Sequence, residues 1–369
     1  MTKRMIDVRD FGAVGDGRSD ATAAIQQALD AAAAPQAAVY VPGGVYACSM
    51  LRVPPRVELR GDVGWSYRDP GGSVLRLADA GASCLLNLTG AVGATVTGLS
   101  LEGGELGAEV HGILVDKSDY GQEDTIRIER CRIARFSGDG IRLRRIFAFF
   151  VRQCMSIHNR GDGLWMRGWD ALIADNCFSG NGKCGFGAYE ENASVTLTGN
   201  RIEWNRTAGI LIQGGTHYNI TGNYIDRSGG PGLWIRPRGA IAPTVVAATG
   251  NLIYRSGKPE WCPADEPHAS SQVFFDGARG LTFCGNTLNA GLDDYARGQV
   301  SPRYGIVCRG LQSCVIKDNV LHGGATGSLV EDLGGHGEGV VLRDNVGSRF
   351  IPGQTPLASL NAVLADPAW

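Results

Sequence analysis

The sequence predicts an all-β fold: a parallel β-helix of about ten coils whose N-terminal end is capped by a helix. Three observations carry this. Cys131, Cys154, Cys177, Asn200 and Asn223 are evenly spaced along the chain, and a fixed period of this size marks a solenoid in which each unit makes one turn. The units starting at Ala148, Ala171, Ser194 and His217 converge on V-x-L-x-G-N-x-I, a polar turn and G-I-x-I. These are short alternating runs broken by Gly or Asn, hence strands joined at corners that need positive φ. Finally, the unit is too short for a helix-pair repeat, and its apolar positions lack helical periodicity.

At the N-terminus, DVRDFGAVGDG runs from Asp7 to Gly17. Asp20 then offers an N-cap for a helix from about Ala21 to Ala34, with Ile25, Ala28 and Leu29 on one face. Such a helix covers the open end of a first coil, where strand edges and core would otherwise face water. VYVPGGVY from Val39 and RVELRG from Arg56 follow as the first strands. This stretch, residues 1–60, resembles the N-terminal segment of the pectate lyase superfamily of right-handed parallel β-helices. The resemblance implies a right-handed helix and a carbohydrate-active protein that works in a groove outside one sheet, walled by loops between coils. Relatives of that kind include pectate lyases, polygalacturonase-like hydrolases, alginate epimerases, fructan-converting transferases and phage tailspikes, and such β-helices often form trimers. The resemblance thus admits a homotrimer without requiring one, and implies an oligo- or polysaccharide partner.

The coils are expected over 61–350, followed by a tail over 351–369, all in one domain because the repeat runs through without a linker. Beyond Asn223 the Asn marker persists at Asn251, Asn286, Asn319 and Asn345. The steps from Asn251 to Asn286 and from Asn286 to Asn319 exceed the period, which signals insertions over 259–272 and 292–304. Insertions in solenoids gather on the binding face. Asn at one bend of successive coils predicts a stacked amide ladder, with Cys131, Cys154 and Cys177 as small buried members of the same column.

Composition narrows the function. The 54 glycines follow no tripeptide period, so they serve turns. A net charge of -2 gives no reason to expect nucleic acid or an anionic membrane surface. No apolar run approaches the length that a membrane-spanning helix needs. The ten cysteines lack close paired spacing, which argues for free buried thiols and no zinc site. No apolar stretch follows the basic start, so the chain reads as cytoplasmic or as secreted with its leader removed.

Alternation places one row of side chains outward on the G-I-x-I strands: Asp116, Arg144, Arg167, Gln213, Arg236, Asp276 and Arg309. Beside it run Arg142, Trp165, Leu211, Trp234, Phe274 and Val307. Aromatic faces suit sugar rings, while Arg and carboxylates suit hydroxyls and acidic groups; opposite charges pairing up the stack are the competing explanation. One coil has two frames: strict counting by the period sends Glu190 outward, whereas matching Cys184 to Asp162 sends Tyr189 outward with Glu190 at the rim.

Glycosidic hydrolysis needs an acid and a base or nucleophile, usually two carboxyls. Asp276 is the first candidate, lying between Arg236 and Arg309 under the insertions, with Asp265, Glu266 and His268 on the loop leading into its strand and Asp293, Asp294 and Tyr295 on the next. Glu203 and Asp226 form a second pair, just past Asn200 and Asn223, expected about 5 Å apart in an outward column of another sheet. Arg201, Arg206 and Arg227 stand near enough to make that pair an ion cluster instead.

Hydrolysis or transglycosylation without a cofactor is the leading expectation. A lyase or epimerase acting on uronates is the alternative: Arg144, Arg167, Arg236 and Arg309 would hold the carboxylates and calcium would be the added cation, but no compact acidic cluster marks a calcium site. The DEPH stretch from Asp265 departs from the Asp-Pro-His motif of alginate epimerases by one inserted residue. A non-catalytic glycan-binding or tailspike-like protein is the third reading.

Overall fold

The computed structural model describes residues 5–294 and 297–355, in two compact units, Met1–Gly182 and Lys183–Trp369. From residue 356 the expected tail lies outside the described residues, as does Tyr295. In the first unit the helix Thr22–Ala33 buries Ile25, Ala28, Leu29 and Ala32. Asp20 caps its first turn by accepting the Thr22 N–H at 2.9 Å, although Ala21 holds the cap position. The coil strands of this unit pair in parallel; for example, Gly44–Cys48, Ser73–Leu77, Leu99–Glu102, Arg132–Ala134 and Met155–Ile157 lie side by side.

The second unit repeats one coil plan. Ile210–Gln213, Leu233–Arg236, Ser271–Asp276 and Tyr304–Arg309 form one parallel stack. Thr216–Thr221, Thr244–Thr249, Arg279–Cys284 and Val315–Lys317 form the next, and Arg201–Glu203, Tyr224–Asp226, Leu252–Tyr254 and Thr287–Asn289 the third. Inward residues such as Ile212, Ile235, Phe275 and Ile306 are fully buried. Each such side chain stabilises the coil by about 1.5–3 kcal/mol relative to exposure.

The amide ladder is present. In the second unit Nδ2 of Asn200, Asn223, Asn251, Asn286 and Asn319 each donates to Oδ1 of the next Asn, ending at Asn345, over 2.8–3.0 Å. A left-handed residue precedes every rung: Gly199, Gly222, Gly250, Gly285, Asp318 and Asp344. This is why the repeat reads Gly-Asn: only Gly takes positive φ without strain, and Asp takes it with little.

The same signature corrects the column in the first unit. Arg130, Gln153 and Asp175 carry the positive φ there, so the rungs are Cys131, Cys154 and Asn176. The Cys154 N–H donates to Asn176 Oδ1 at 2.9 Å, whereas Cys177 pairs with Met155, one position beyond the rung, and is half-buried. A thiol imitates part of the amide: Cys154 Sγ lies 3.3–3.4 Å from the Arg152 and Ile128 carbonyls, as Asn176 Nδ2 lies 2.9 Å from that of Val151.

Asn251 makes five contacts of 2.9–3.2 Å through its amide. Asn251→Ala should therefore cost about 2–4 kcal/mol in urea unfolding, because net bonds are lost and the buried Asn223 N–H is orphaned. Asn251→Cys should cost less. A loss below about 0.5 kcal/mol for Ala would show that the ladder contributes no stability.

Candidate active site

Register in the second unit pairs Gln213 with Arg236, and Asp276 with Arg309, along the outer face of the first stack. Arg309 is the hub of the site. Its Nε and Nη2 grip Asp276 Oδ1 and Oδ2, each at 2.8 Å, and the same Nη2 reaches Glu266 Oε2 at 2.9 Å. One nitrogen thus holds oxygens of two carboxylates within about 6 Å of each other, close to the separations found in glycosidase carboxyl pairs. The hydrogen bonds from Arg309 to Asp276, reinforced by Glu266, raise the guanidinium's hold on its proton despite partial burial. All three side chains remain partly open to solvent.

Glu266 and His268 arrive on the first insertion, which turns through a short helix Pro267–Ala269 directly into the strand Ser271–Asp276. His268 Nδ1 lies 3.6 Å from Glu266 Oε1, and its ring is 5.1 Å from that of Tyr304. Tyr304 was not singled out from the sequence. Its signal was its place: it opens the strand that ends at Arg309. Asp265 stays exposed and outside this cluster, with no hydrogen bond or ion pair among the described residues.

The aromatic row differs from the sequence expectation. Leu211, Phe274 and Val307 are buried, and Trp234 is half-buried. Trp234 and Phe274 stack nearly parallel at 6.0 Å, roofed by Arg236 at 4.6 Å and Arg309 at 5.0 Å. Alternation assigned these residues to the correct face, but guanidiniums lying over the Trp234 and Phe274 rings, and Tyr189 and Trp234 packed on Leu211, take them from water. The ambiguous coil is resolved by Ala188 pairing with Ile212, which aligns Tyr189 with Gln213 and leaves Glu190 at a left-handed bend, φ 56°. A side chain at Gly187 would meet the Tyr189 ring at 2.5 Å, so the glycine cedes its outward place to that ring. Tyr189 and Trp234 both pack on Cys184, Ala208 and Leu211.

In the first unit Trp165 and Arg167 pair in register with Arg142 and Arg144. Arg142 lies over the Trp165 ring at 4.1 Å and bonds Asp139, while Arg144 bonds Asp116 at 2.8 Å. Charge pairing between coils accounts for Arg144, and pairing within its own coil for Arg142.

Glu203 and Asp226 do pair in register on the outer side of their stack, but as a sealed cluster and not an exposed one. Arg255 grips Asp226 at 2.8 and 3.1 Å, and Arg227 bonds it at 2.7 Å. Arg227 also bonds Asp294, and Lys258 bonds Asp293, so the second insertion closes over the column as the antiparallel pair Gly291–Asp293 and Arg297–Ser301. Burial pushes the Asp226 carboxyl up, and the two guanidiniums pull it back.

Among the described residues one cluster has metal-ligand chemistry: Cys308, Asp332 and His336. However, His336 Nδ1 accepts the Leu311 N–H at 3.0 Å and its Nε2 faces Asp332 at 2.7 Å, so both ring nitrogens are engaged. Burial holds the Cys308 thiol up at about 12. A protonated thiol and an imidazole do not suit calcium, which takes oxygen ligands.

A family model described as right-handed β-helix region matches residues 85–241 and 187–349, and one described as rhamnogalacturonase A/epimerase, pectate lyase-like, matches 5–66. The mannuronan C5-epimerase AlgE3 of Azotobacter vinelandii is 29% identical over 237 residues, 57% of this chain but 12% of AlgE3, so the chain spans a small part of that relative. Among solved structures, the A-module of the A. vinelandii mannuronan C-5 epimerase AlgE6 aligns over 93% of this chain and 99% of its own, with TM-score 0.68 and 19% identity. The enzymatically active domain of tailspike protein 2 from bacteriophage CBA120 aligns over 86% and 48%, with TM-score 0.67 and 15% identity. At such identities the structural likeness is one of fold.

Proposed function

Because the chain belongs to the right-handed β-helix family, we propose that it is a carbohydrate-active enzyme that binds an oligo- or polysaccharide over the strands Leu233–Arg236, Ser271–Asp276 and Tyr304–Arg309 and cleaves or transfers a glycosidic bond there. The observation that carries this reading is the Arg309 bridge between Asp276 and Glu266. Asp276, held through both oxygens by the guanidinium, is placed to attack the anomeric carbon or to take a proton from water. Glu266 shares Arg309 through one oxygen only. A sugar seated between the two carboxyls takes the place of that bond, and Glu266 serves as the acid that delivers a proton to the departing oxygen.

A second reading, C5 epimerisation of a uronate, is favoured by the likeness to mannuronan C5-epimerases and by His268, which stands 3.6 Å from the Glu266 carboxylate that Arg309 holds and lies against the Tyr304 ring. There one group removes the proton next to the sugar carboxylate and another returns a proton to the opposite face. Incubation with neutral and acidic polysaccharides separates the readings, with reducing ends and ultraviolet absorbance of unsaturated product measured, and deuterium at C5 followed by NMR in heavy water. New reducing ends without deuterium or unsaturation favour hydrolysis. Deuterium without new ends favours epimerisation, and neither signal on any substrate sinks both.

A further inference from the structure

The second stack of the second unit carries a feature that the site on the first stack does not use. On its outer face opens a trough of about 450 Å³. Thr196, Asn219, Ala247 and Thr282 stand in register along it on four successive strands, with His217 and Val245 at the bend that precedes them. These groups are open to water: Asn219, Thr282, His217 and Val245 are exposed, and Thr196 and Ala247 are half-buried. The Thr196 and Thr282 hydroxyls have no hydrogen-bond partner among the described residues. Asn219 uses its Oδ1 for the Thr221 hydroxyl at 2.7 Å, which leaves its amide N–H groups for a ligand. Among the described residues no Asp, Glu, Lys or Arg lines the trough.

Val245 is the unusual member. Its side chain is 51% exposed, and its φ of 51° lies in the left-handed region, where the neighbouring coils place His217 and Gly280. A β-branched residue is the type least suited to that region, so folding alone does not favour valine at this bend. With Ala247 it sets an apolar patch among hydroxyl and amide groups. A neutral sugar ring matches such a surface: its hydroxyls donate and accept, and its C–H face covers apolar atoms. An anionic sugar would lose water around its charge and find no cation in return. Equivalent side chains on successive strands lie ~4.8 Å apart, close to the advance per residue of an extended β-linked glycan, so one chain can meet the same groups coil after coil.

We propose that this trough is a second glycan-holding site, separate from the groove over the first stack, and that it takes a segment of neutral polysaccharide. It holds the polymer without reacting with it, and so raises the effective concentration of that polymer at the protein. This goes beyond the reading above, because it requires neither Asp276 nor any reaction.

Native electrophoresis through gels containing a β-glucan, xylan, glucomannan or pectate tests it, with thermal melts and gel filtration of each variant alongside. At least one neutral polysaccharide should retard the wild type. Ala247→Gln, which fills the trough, and the pair Thr196→Val with Thr282→Val, which removes its free hydroxyls, should each weaken the apparent affinity for that polymer about fivefold or more. The loss should be the same in an Asp276→Asn background. If Ala247→Gln melts early, the threonine pair carries the test, since valine keeps the shape of threonine. Equal retardation of the wild type and the trough variants overturns the assignment and leaves the groove reading standing. So does retardation by pectate that the trough variants abolish, or a wild-type oligomer that Ala247→Gln dissociates, which would give this face to a second copy of the chain. Retardation by no neutral polysaccharide also overturns the trough, while turnover of an acidic glycan by the wild type would still support the groove.

Discussion

Asp276→Asn will reduce turnover of the glycan substrate by about 10²- to 10⁴-fold, the range that a positioned acid–base group contributes. The amide keeps the size of the carboxylate and one acceptor for Arg309, which also retains Glu266, so the coil should stay folded with a melting temperature close to that of the wild type. What disappears is the charge: an amide neither attacks an anomeric carbon nor accepts a proton from water. Initial rates of reducing-end release, set beside a thermal melt of the same preparation, make the measurement. Undiminished activity in a folded variant would remove Asp276 from the chemistry and transfer attention to Glu266 and His268.

The largest effect on stability is expected at Asp226→Ala. Asp226 and Arg255 have no exposed side-chain surface, and Arg227 is nearly as enclosed. Removing the carboxylate leaves two guanidiniums in a place where water cannot replace it, and breaking a buried pair from one side costs about 3–5 kcal/mol. Most folded domains have only about 5–15 kcal/mol in total, so the variant will unfold at a much lower urea concentration. Adding Arg255→Met to Asp226→Ala should recover part of the loss, because the second change removes one of the stranded cations. A cost below about 1 kcal/mol for the single variant would mean that water enters the cluster.

How far the sequence carried depended on what each inference required. The coil plan was legible because the corners demand positive φ, and Gly-Asn announces such corners one at a time. The slip at Asn176 was hidden because Cys177 kept the arithmetic period while the true rung moved back by one, and that same slip produced the two frames at Tyr189 and Glu190. Period-2 alternation tells which face a residue occupies but not what lies over it. Hence Glu203, Asp226 and Phe274 fall on the right face and are expected in solvent, whereas an antiparallel strand pair and an Arg guanidinium cover them. The Arg309 bridge to Glu266 joins distant parts of the chain through a loop whose path no local pattern describes. The strand assigned Asp276 and Arg309 to neighbouring positions; only the fold brought Glu266 onto them.

The ladder also bears on how such a protein diversifies. A rung asks for one amide per turn and is indifferent to how much chain separates it from the next: the short step from Cys154 to Asn176 and the long one from Asn251 to Asn286 close with the same bond length of 2.9 Å. Lengthening a connection adds only about 0.6 kcal/mol of closure entropy per doubling. Selection can therefore lengthen, shorten or rewrite the segment carrying Glu266 and His268 while the hydrogen-bonded spine beneath it stays in step, and a lineage built this way can try new ligands one loop at a time without renegotiating its fold.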